Sequence, residues 1–241
     1  MVICLCFTKK VLSDLSKLDL YKEMLSKSVE FAKKFYQVIL YTDSETLPDL
    51  ETIQVEKRLV DSSDFYFIDD FKVHLLDKVL CENSTLIDVD LFLFKPLNFQ
   101  EGFDLYADYK EKSTEEWYTQ YIDILLENGV KEILPDYGSK TYFPPNIGII
   151  KFTNLEYKRK YIDTYSLLKN WIVSKSLNLD RGASMVLGQY TLALINADNK
   201  YRIYYCRNQN TNNNFLHLSG PIKFEKDALK KYLPTSTYKL I

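Results

Sequence analysis

The sequence predicts an α/β protein, a mostly parallel central sheet flanked by helices and folded as a single domain over residues 1–241. Three observations predict it. Short apolar runs alternate with longer segments whose apolar residues recur at i, i+3 and i+4, the pattern that builds parallel sheets through helical crossovers. Apolar residues make up 46% of the chain, enough to cover both faces of a sheet. The length of 241 residues suits one such domain, and no linker or internal repeat divides it.

The elements follow in order. Residues 1–8 open as a strand, and Tyr21, Met24, Leu25, Val29, Ala32 and Phe35 then mark a helical stripe. Residues 37–42 (QVILYT) read as the second strand, with a weaker one at 53–56. Residues 67–80 fit a helix, and 85–88 (TLID) a buried strand that ends in acids. The second half is more mixed: a strand at 103–109, a helix at 114–128 closed by Gly129, and a strand at 146–152. Helices at 155–175 and 181–197 follow. Short strands at 201–206 and 215–218 are split by RNQNTNNN, too rich in Asn to pack and read as a mobile loop, and 225–233 is a last helix.

Composition excludes several function classes. Lys and Arg number 31 against 33 Asp and Glu, a formal net charge of -2, and no basic stripe offers itself to a nucleic-acid backbone. The 7 glycines never fall as G-x-G-x-x-G or G-x-x-x-x-G-K, so any phosphate this protein binds must be held by a metal and side chains. MVICLCFTKK reads as a first strand and not as a signal peptide, and no run approaches the ~18 apolar residues of a membrane span. Cys4, Cys6, Cys81 and Cys206 form no C-x-x-C pair and read as reduced thiols, with Cys4 and Cys6 on one strand face. The expectation is a cytoplasmic protein in which Asn83-Ser84-Thr85 goes unglycosylated. The C-terminal KDALKKYLPTSTYKLI reads as a packed helix, with membrane or partner contact as the alternative.

The most informative segment is 84–94, STLIDVDLFLF, where Asp88 and Asp90 interrupt an apolar run. Burying an unpaired carboxylate is expensive, so a cation belongs beside them. In extended chain, i and i+2 share a face, and ligands of open α/β sheets bind at the carboxyl ends of strands. A divalent cation held by carboxylate oxygens and completed by a diphosphate satisfies both acids. The competing readings are Asp as a turn or cap residue, and an aspartyl-phosphate phosphatase; the latter puts its D-x-D on the first strand with Thr or Val at the fifth position, where Phe92 stands here.

Only His74 and His217 are available for imidazole chemistry. His74 falls inside a predicted helix and reads as structural. His217 ends a strand, with Gly220 and Lys223 after it: an imidazole suits Mn²⁺ beside two carboxylates, Gly220 lets backbone N–H groups approach a phosphate, and Lys223 brings a cation to it. The plainer reading is a strand-end His, a loop glycine and a solvated lysine.

The D-V-D and this segment together resemble family 8 glycosyltransferases of the GT-A fold, the family of glycogenin and bacterial lipooligosaccharide galactosyltransferases, with a looser similarity to small GT-A domains of large DNA viruses of algae. That family closes its domain with H-x-x-G-x-x-K-P-W; His217, Gly220 and Lys223 keep the spacing, and Phe224-Glu225 replace Pro-Trp. Asn146-Ile-Gly148-Ile-Ile resembles its N-A-G-V-L strand, and Gly188-Gln189 its D-Q-D helix start with Gly in place of the first Asp.

The resemblance implies a Rossmann-like GT-A domain that moves a sugar from a nucleotide-diphosphate donor, UDP-linked in that family's manner, to a glycan or glycoprotein acceptor with retention. Asp88, Asp90 and His217 would hold Mn²⁺ or Mg²⁺. By the same resemblance Asp88 reaches the ribose, Thr8 lies near the nucleobase, and Asn146, Gly148 and Gln189 face the sugar and its anomeric carbon. Lys72, with Lys78 as its rival, is the basic residue on the helix before the D-x-D. Asp108 is expected to contact the acceptor, as a general base if configuration inverts, and Tyr109, Trp117 and Tyr118 stack on acceptor rings or belong to the core. The alternatives are a sugar-phosphate nucleotidyltransferase and a non-catalytic nucleotide-sugar-binding module.

Overall fold

The computed structural model describes residues 1–241 except 13, 81–82, 178, 180–181, 208–213, 219–223, 225–227 and 234–241. Gly220 and Lys223, and most of the Asn-rich run, lie outside the described residues. The chain runs β1 (Val2–Cys6), α1 (Leu18–Ala32), β2 (Gln37–Thr42), β3 (Glu56–Leu59), α2 (Ile68–Lys78), β4 (Ser84–Ile87), β5 (Leu91–Leu93), β6 (Leu105–Ala107), α3 (Glu116–Glu127), β7 (Ile149–Phe152), α4 (Leu155–Ser174), α5 (Gly182–Ile195), β8 (Ile203–Tyr205), β9 (Phe215–His217) and α6 (Ala228–Tyr232).

Seven strands form one sheet in the order β3-β2-β1-β4-β7-β6-β8. Only β7 runs against its neighbours β4 and β6; the other pairings are parallel. Alternation along the strands divides the core. Cys4, Ile39, Tyr41, Leu86, Ile150 and Phe152 join a cluster with α2, α3, α4 and α5, while Ile3, Leu5, Val38, Leu40, Ile87 and Ile149 pack with Leu25, Val29 and Ala32 of α1 on the other face. Cys4 and Cys6 share the first of these faces.

Some boundaries differ from those the sequence predicts, for physical reasons. The third strand is 56–59, not 53–56: it is the edge strand, its residues Glu56, Lys57, Arg58 and Leu59 are largely exposed, and it carries no apolar alternation to mark it. The strand predicted at 146–152 begins only at Ile149, because residues 146–148 turn their backbone to other partners: Asn146 O accepts from Asp108 N (2.9 Å) and Gly148 O from Asp88 N (2.9 Å). Three-residue β5 was not separable from β4 by pattern; it leaves the main sheet and pairs antiparallel with β9. Gly129 does stop α3, at φ +86°, a left-handed conformation that an L side chain rarely adopts.

The topology collects one edge of the sheet into a site. The carboxyl ends of β1, β2, β4, β6 and β8 point the same way, and the amino end of antiparallel β7 lies among them. The order of strands reverses at β1, with β2 and β3 added on one side and β4 on the other although β1 and β4 are parallel, and this is the switch point at which open α/β sheets bind ligands. Thr8 follows β1, Asp88 follows β4, Asp108 follows β6, Arg207 follows β8, and Asn146 and Gly148 precede β7.

Candidate metal and nucleotide site

Asp88 and Asp90 occupy a turn, closed by Leu91 N donating to Asp88 O at 3.2 Å, and not the extended strand their spacing suggests. They converge because β5 leaves that turn at once and pairs with β9, with Leu91 opposite His217 and Leu218 N donating to Asp90 O at 3.0 Å. His217 Nε2 thereby comes within 3.7 Å of Asp88 Oδ2 and 3.3 Å of Asp90 Oδ1. One ligand atom from each of the three residues lies within 4.8 Å of the others. Asp90 and His217 are buried, whereas Asp88 is partly open.

The other imidazole nitrogen, Nδ1, lies 2.7 Å from Asp108 Oδ2. Asp108, expected to meet an acceptor, is instead fully buried at the end of β6, where Arg207 donates to both of its oxygens, Nε at 3.1 Å and Nη2 at 2.9 Å. Parallel pairing of β6 with β8 delivers the Arg207 fork onto the carboxylate. An Asp108 carboxylate on Nδ1 keeps a proton there and leaves Nε2 facing Asp88 and Asp90, the ring orientation that metal-binding histidines use. In the protein described, burial opposes the imidazolium but Asp90 and Asp108 outweigh it and raise its pKa to about 9. A metal ion held by Nε2 would have to displace the proton on that nitrogen.

Gly148 makes the approach of His217 possible. A Cβ at this position would overlap the imidazole, with Nδ1 only 2.6 Å away. Asn146 sits behind it: its Oδ1 accepts from Gly148 N (3.0 Å) and its Nδ2 donates to Glu111 Oε1 (2.7 Å), an acid that no motif had marked.

Lys72 is buried and donates to Asp88 Oδ1 at 2.7 Å and to Ile147 O at 3.3 Å, while its rival Lys78 is exposed and pairs with neighbouring Asp77. Burial opposes the ammonium, but Asp88 and Asp69 more than compensate and raise its pKa above the ordinary lysine value. Gln189, on α5, is buried and its Oε1 accepts from Tyr118 Oη. Tyr118 is wholly buried and belongs to the core, Trp117 is half exposed, and Tyr109 lies under the guanidinium of Arg207 at 4.6 Å.

Thr8, just beyond β1, donates to Asp43 Oδ2, and Asp43 also accepts from Thr46 N (2.7 Å) and Ser62 Oγ (3.1 Å). Burial works against the Asp43 charge, yet these donors hold its pKa below the usual carboxylate value. Asp43, Glu111, Asp69 and Arg207 carry no spacing signal: each reaches the site through sheet order or helix packing alone.

No protein-family profile and no curated protein matches this sequence. Its chain path is similar to several solved structures. Galactosyltransferase LgtC in complex with donor and acceptor sugar analogues is 16% identical, with 78% of this chain and 70% of that chain covered and a TM-score of 0.43. The glycosyltransferase GlyE of Streptococcus pneumoniae TIGR4 is 13% identical over 87% of this chain and 46% of that one, with a TM-score of 0.45, so this chain spans less than half of GlyE. The CTP:phosphocholine cytidylyltransferase LicC of Streptococcus pneumoniae is 11% identical over 92% and 95% of the two chains, with a TM-score of 0.48. Among the described residues no helix is long and apolar enough to cross a membrane.

Proposed function

We propose that this protein is a metal-dependent glycosyltransferase of the GT-A type, which moves a sugar from a nucleoside-diphosphate donor, UDP-linked, to a hydroxyl of a glycan or glycoprotein acceptor with retention of configuration. The observation that carries the reading is His217, with Nδ1 on the Asp108 carboxylate and Nε2 turned toward Asp88 and Asp90. That donor set of two carboxylates and one neutral imidazole fits Mn²⁺, or Mg²⁺ with water completing the shell. When bound, the ion supplies charge neutralisation to the departing diphosphate.

The chain's own residues supply the rest. Lys72, beside Asp88, brings a buried positive charge to the donor's phosphates or sugar hydroxyls. The hydroxyl and carboxylate group of Thr8 and Asp43, at the carboxyl ends of β1 and β2, faces the nucleoside, and Asn146 and Gln189 border the sugar. Lys223 and the Gly220 backbone are assigned to the diphosphate on sequence alone. The sugar's C1–O bond to phosphate breaks, a C1–O bond to the acceptor forms, and a phosphate oxygen of the leaving group takes the acceptor's proton. Retention by this route needs no carboxylate base, consistent with an Asp108 whose oxygens are held by Arg207 and His217.

A thermal-shift panel of UDP-, GDP- and CMP-sugars, with and without Mn²⁺, tests the reading. A ligand that binds only the folded state raises the midpoint as its concentration exceeds Kd. The expected result is a shift with a UDP-sugar that requires the metal, and slow metal-dependent release of UDP. Shifts with nucleoside triphosphates and none with nucleotide sugars would transfer the protein to nucleotidyl transfer, and binding without any turnover to a non-catalytic module.

A further inference from the structure

Asp69 and Asp70 stand side by side in the first turn of α2, both buried, yet only one has a structural occupation. Asp70 accepts from Tyr66 N (2.6 Å), Phe67 N (2.9 Å) and Tyr165 Oη (3.1 Å), and pairs with Lys169 at 3.1 Å. Neither oxygen of Asp69 has a hydrogen-bond partner among the described residues, although the carboxyl is wholly buried between α2, Tyr161 of α4 and Gly188 of α5. Its nearest cation is Lys72, at 3.9 Å from Oδ1. A buried carboxyl left in this way costs stability and calls for a reason.

Lys72 stands between two carboxylates, bonded to Asp88 at 2.7 Å and short of a bond to Asp69 at 3.9 Å. A divalent cation on Asp88 competes with the ammonium for the same carboxylate and repels it. A buried ammonium cannot be left without a counter-charge, and a movement of about 1 Å brings Lys72 into hydrogen-bond range of Asp69. We propose that Asp69 is a positioning residue, the counter-ion to which Lys72 turns when a divalent cation takes Asp88, and that position 188 is glycine so that this carboxylate fits against α5. The proposal rests on the metal reading above and deepens it. Lys72 keeps a carboxylate partner in both states: Asp88 in the empty site, and an ionised Asp69 once Asp88 serves the cation.

The glycine is the second, independent observation. A Cβ at 188 would overlap Asp69 Oδ2 and lie 3.2 Å from Tyr161 Oη, so any larger residue drives the carboxyl out of its place. Gly188 lies inside α5, where glycine costs about 1 kcal/mol relative to alanine; the space it leaves is filled by Asp69.

Isothermal titration of Mn²⁺ into the nucleotide-free protein tests this without reference to activity. In Asp69→Asn, Lys72 has only Asp88 left, and Mn²⁺ binding should weaken about tenfold or more, as for a charge-assisted bond broken without replacement. Adding Lys72→Met removes the competitor, and the double variant should return to within about twofold of wild type. Gly188→Ala, which displaces the carboxyl without deleting it, should weaken Mn²⁺ binding and be relieved by Lys72→Met in the same way; it serves as the test if circular dichroism shows Asp69→Asn unfolded. Unchanged Mn²⁺ affinity in the Asp69 variant, or a loss that Lys72→Met does not relieve, overturns the role of Asp69 while leaving the metal site intact. No Mn²⁺ binding by the wild type overturns both.

Discussion

Asp108 illustrates how little of a residue's role is contained in its position along the chain. A carboxylate at the end of a strand reads as a group waiting for substrate, yet Arg207 and His217 occupy it and it is closed to water. Its Oδ2 lies 2.7 Å from His217 Nδ1, a place from which a carboxylate would orient the ring. Replacing Asp108 with Asn removes that charge, and outer partners of this kind typically contribute 10–100-fold to metal affinity. Asp108→Asn should therefore weaken Mn²⁺ binding by about one to two orders of magnitude with the far-ultraviolet circular dichroism retained, while Asp90→Asn should abolish it. Equal binding by Asp108→Asn and wild type would remove the orienting role. The residues legible from sequence were those with a pattern, Asp88 and Asp90 at i, i+2 and His217 ahead of Gly220. Asp69 has none, because an acid in the first turn of a helix is a common cap, and it is the packing against Gly188 and the lack, among the described residues, of a donor on either oxygen that distinguish it from Asp70.

At the scale of elements, the convergence of Asp88, Asp90 and His217 depends on a ribbon of two three-residue strands. β5 and β9 are short enough to escape any periodicity argument, so the sequence suggested that acids and imidazole meet without showing how. The ribbon also has a tight floor: Gly148, ahead of β7, leaves space for the His217 ring that a methyl group would fill. Gly148→Ala is thus expected to act on stability and site together. Overpacking of a closed site costs about 1–3 kcal/mol, which for a chain of this size lowers the thermal midpoint by about 2–12 °C, and displacement of the ring should reduce Mn²⁺ affinity in the same variant. A Gly148→Ala protein with wild-type midpoint and wild-type Mn²⁺ affinity would show that the imidazole does not sit against this backbone. The larger elements are legible because their burial is periodic, as in α1, whose buried residues Met24, Leu25, Ser28, Val29, Phe31 and Ala32 follow the helical repeat. Edge strand β3 was misplaced because exposed edges carry charge in place of pattern.

At the scale of the whole molecule, the sheet brings its cations and acids to one edge, and the resulting electrostatics should be measurable as a dependence of folding on pH. Burial raises the Asp69 carboxyl to about 7, against an ordinary 3.8, with Lys72 opposing and Asp88 and Asp70 reinforcing the shift. The folded protein then holds a proton on Asp69 between pH 4 and 7 that the unfolded chain has released, so folding stability from this group is complete below about pH 4 and is lost as pH rises through about 7. Asn at position 69 keeps the shape and cannot titrate. Urea denaturation of wild type and Asp69→Asn, without metal, at intervals from pH 4 to pH 8 should show the wild type losing stability relative to the variant across that window and levelling off above it. Every other titratable group, His217 at about 9 among them, is common to the two proteins, so the difference between the two curves isolates Asp69. A flat difference would mean that the carboxyl is ionised throughout, already paired with Lys72 in the empty site. A variant that gains stability at pH 8 while losing Mn²⁺ affinity would show that the buried acid is retained for what it does to the site and not for the fold.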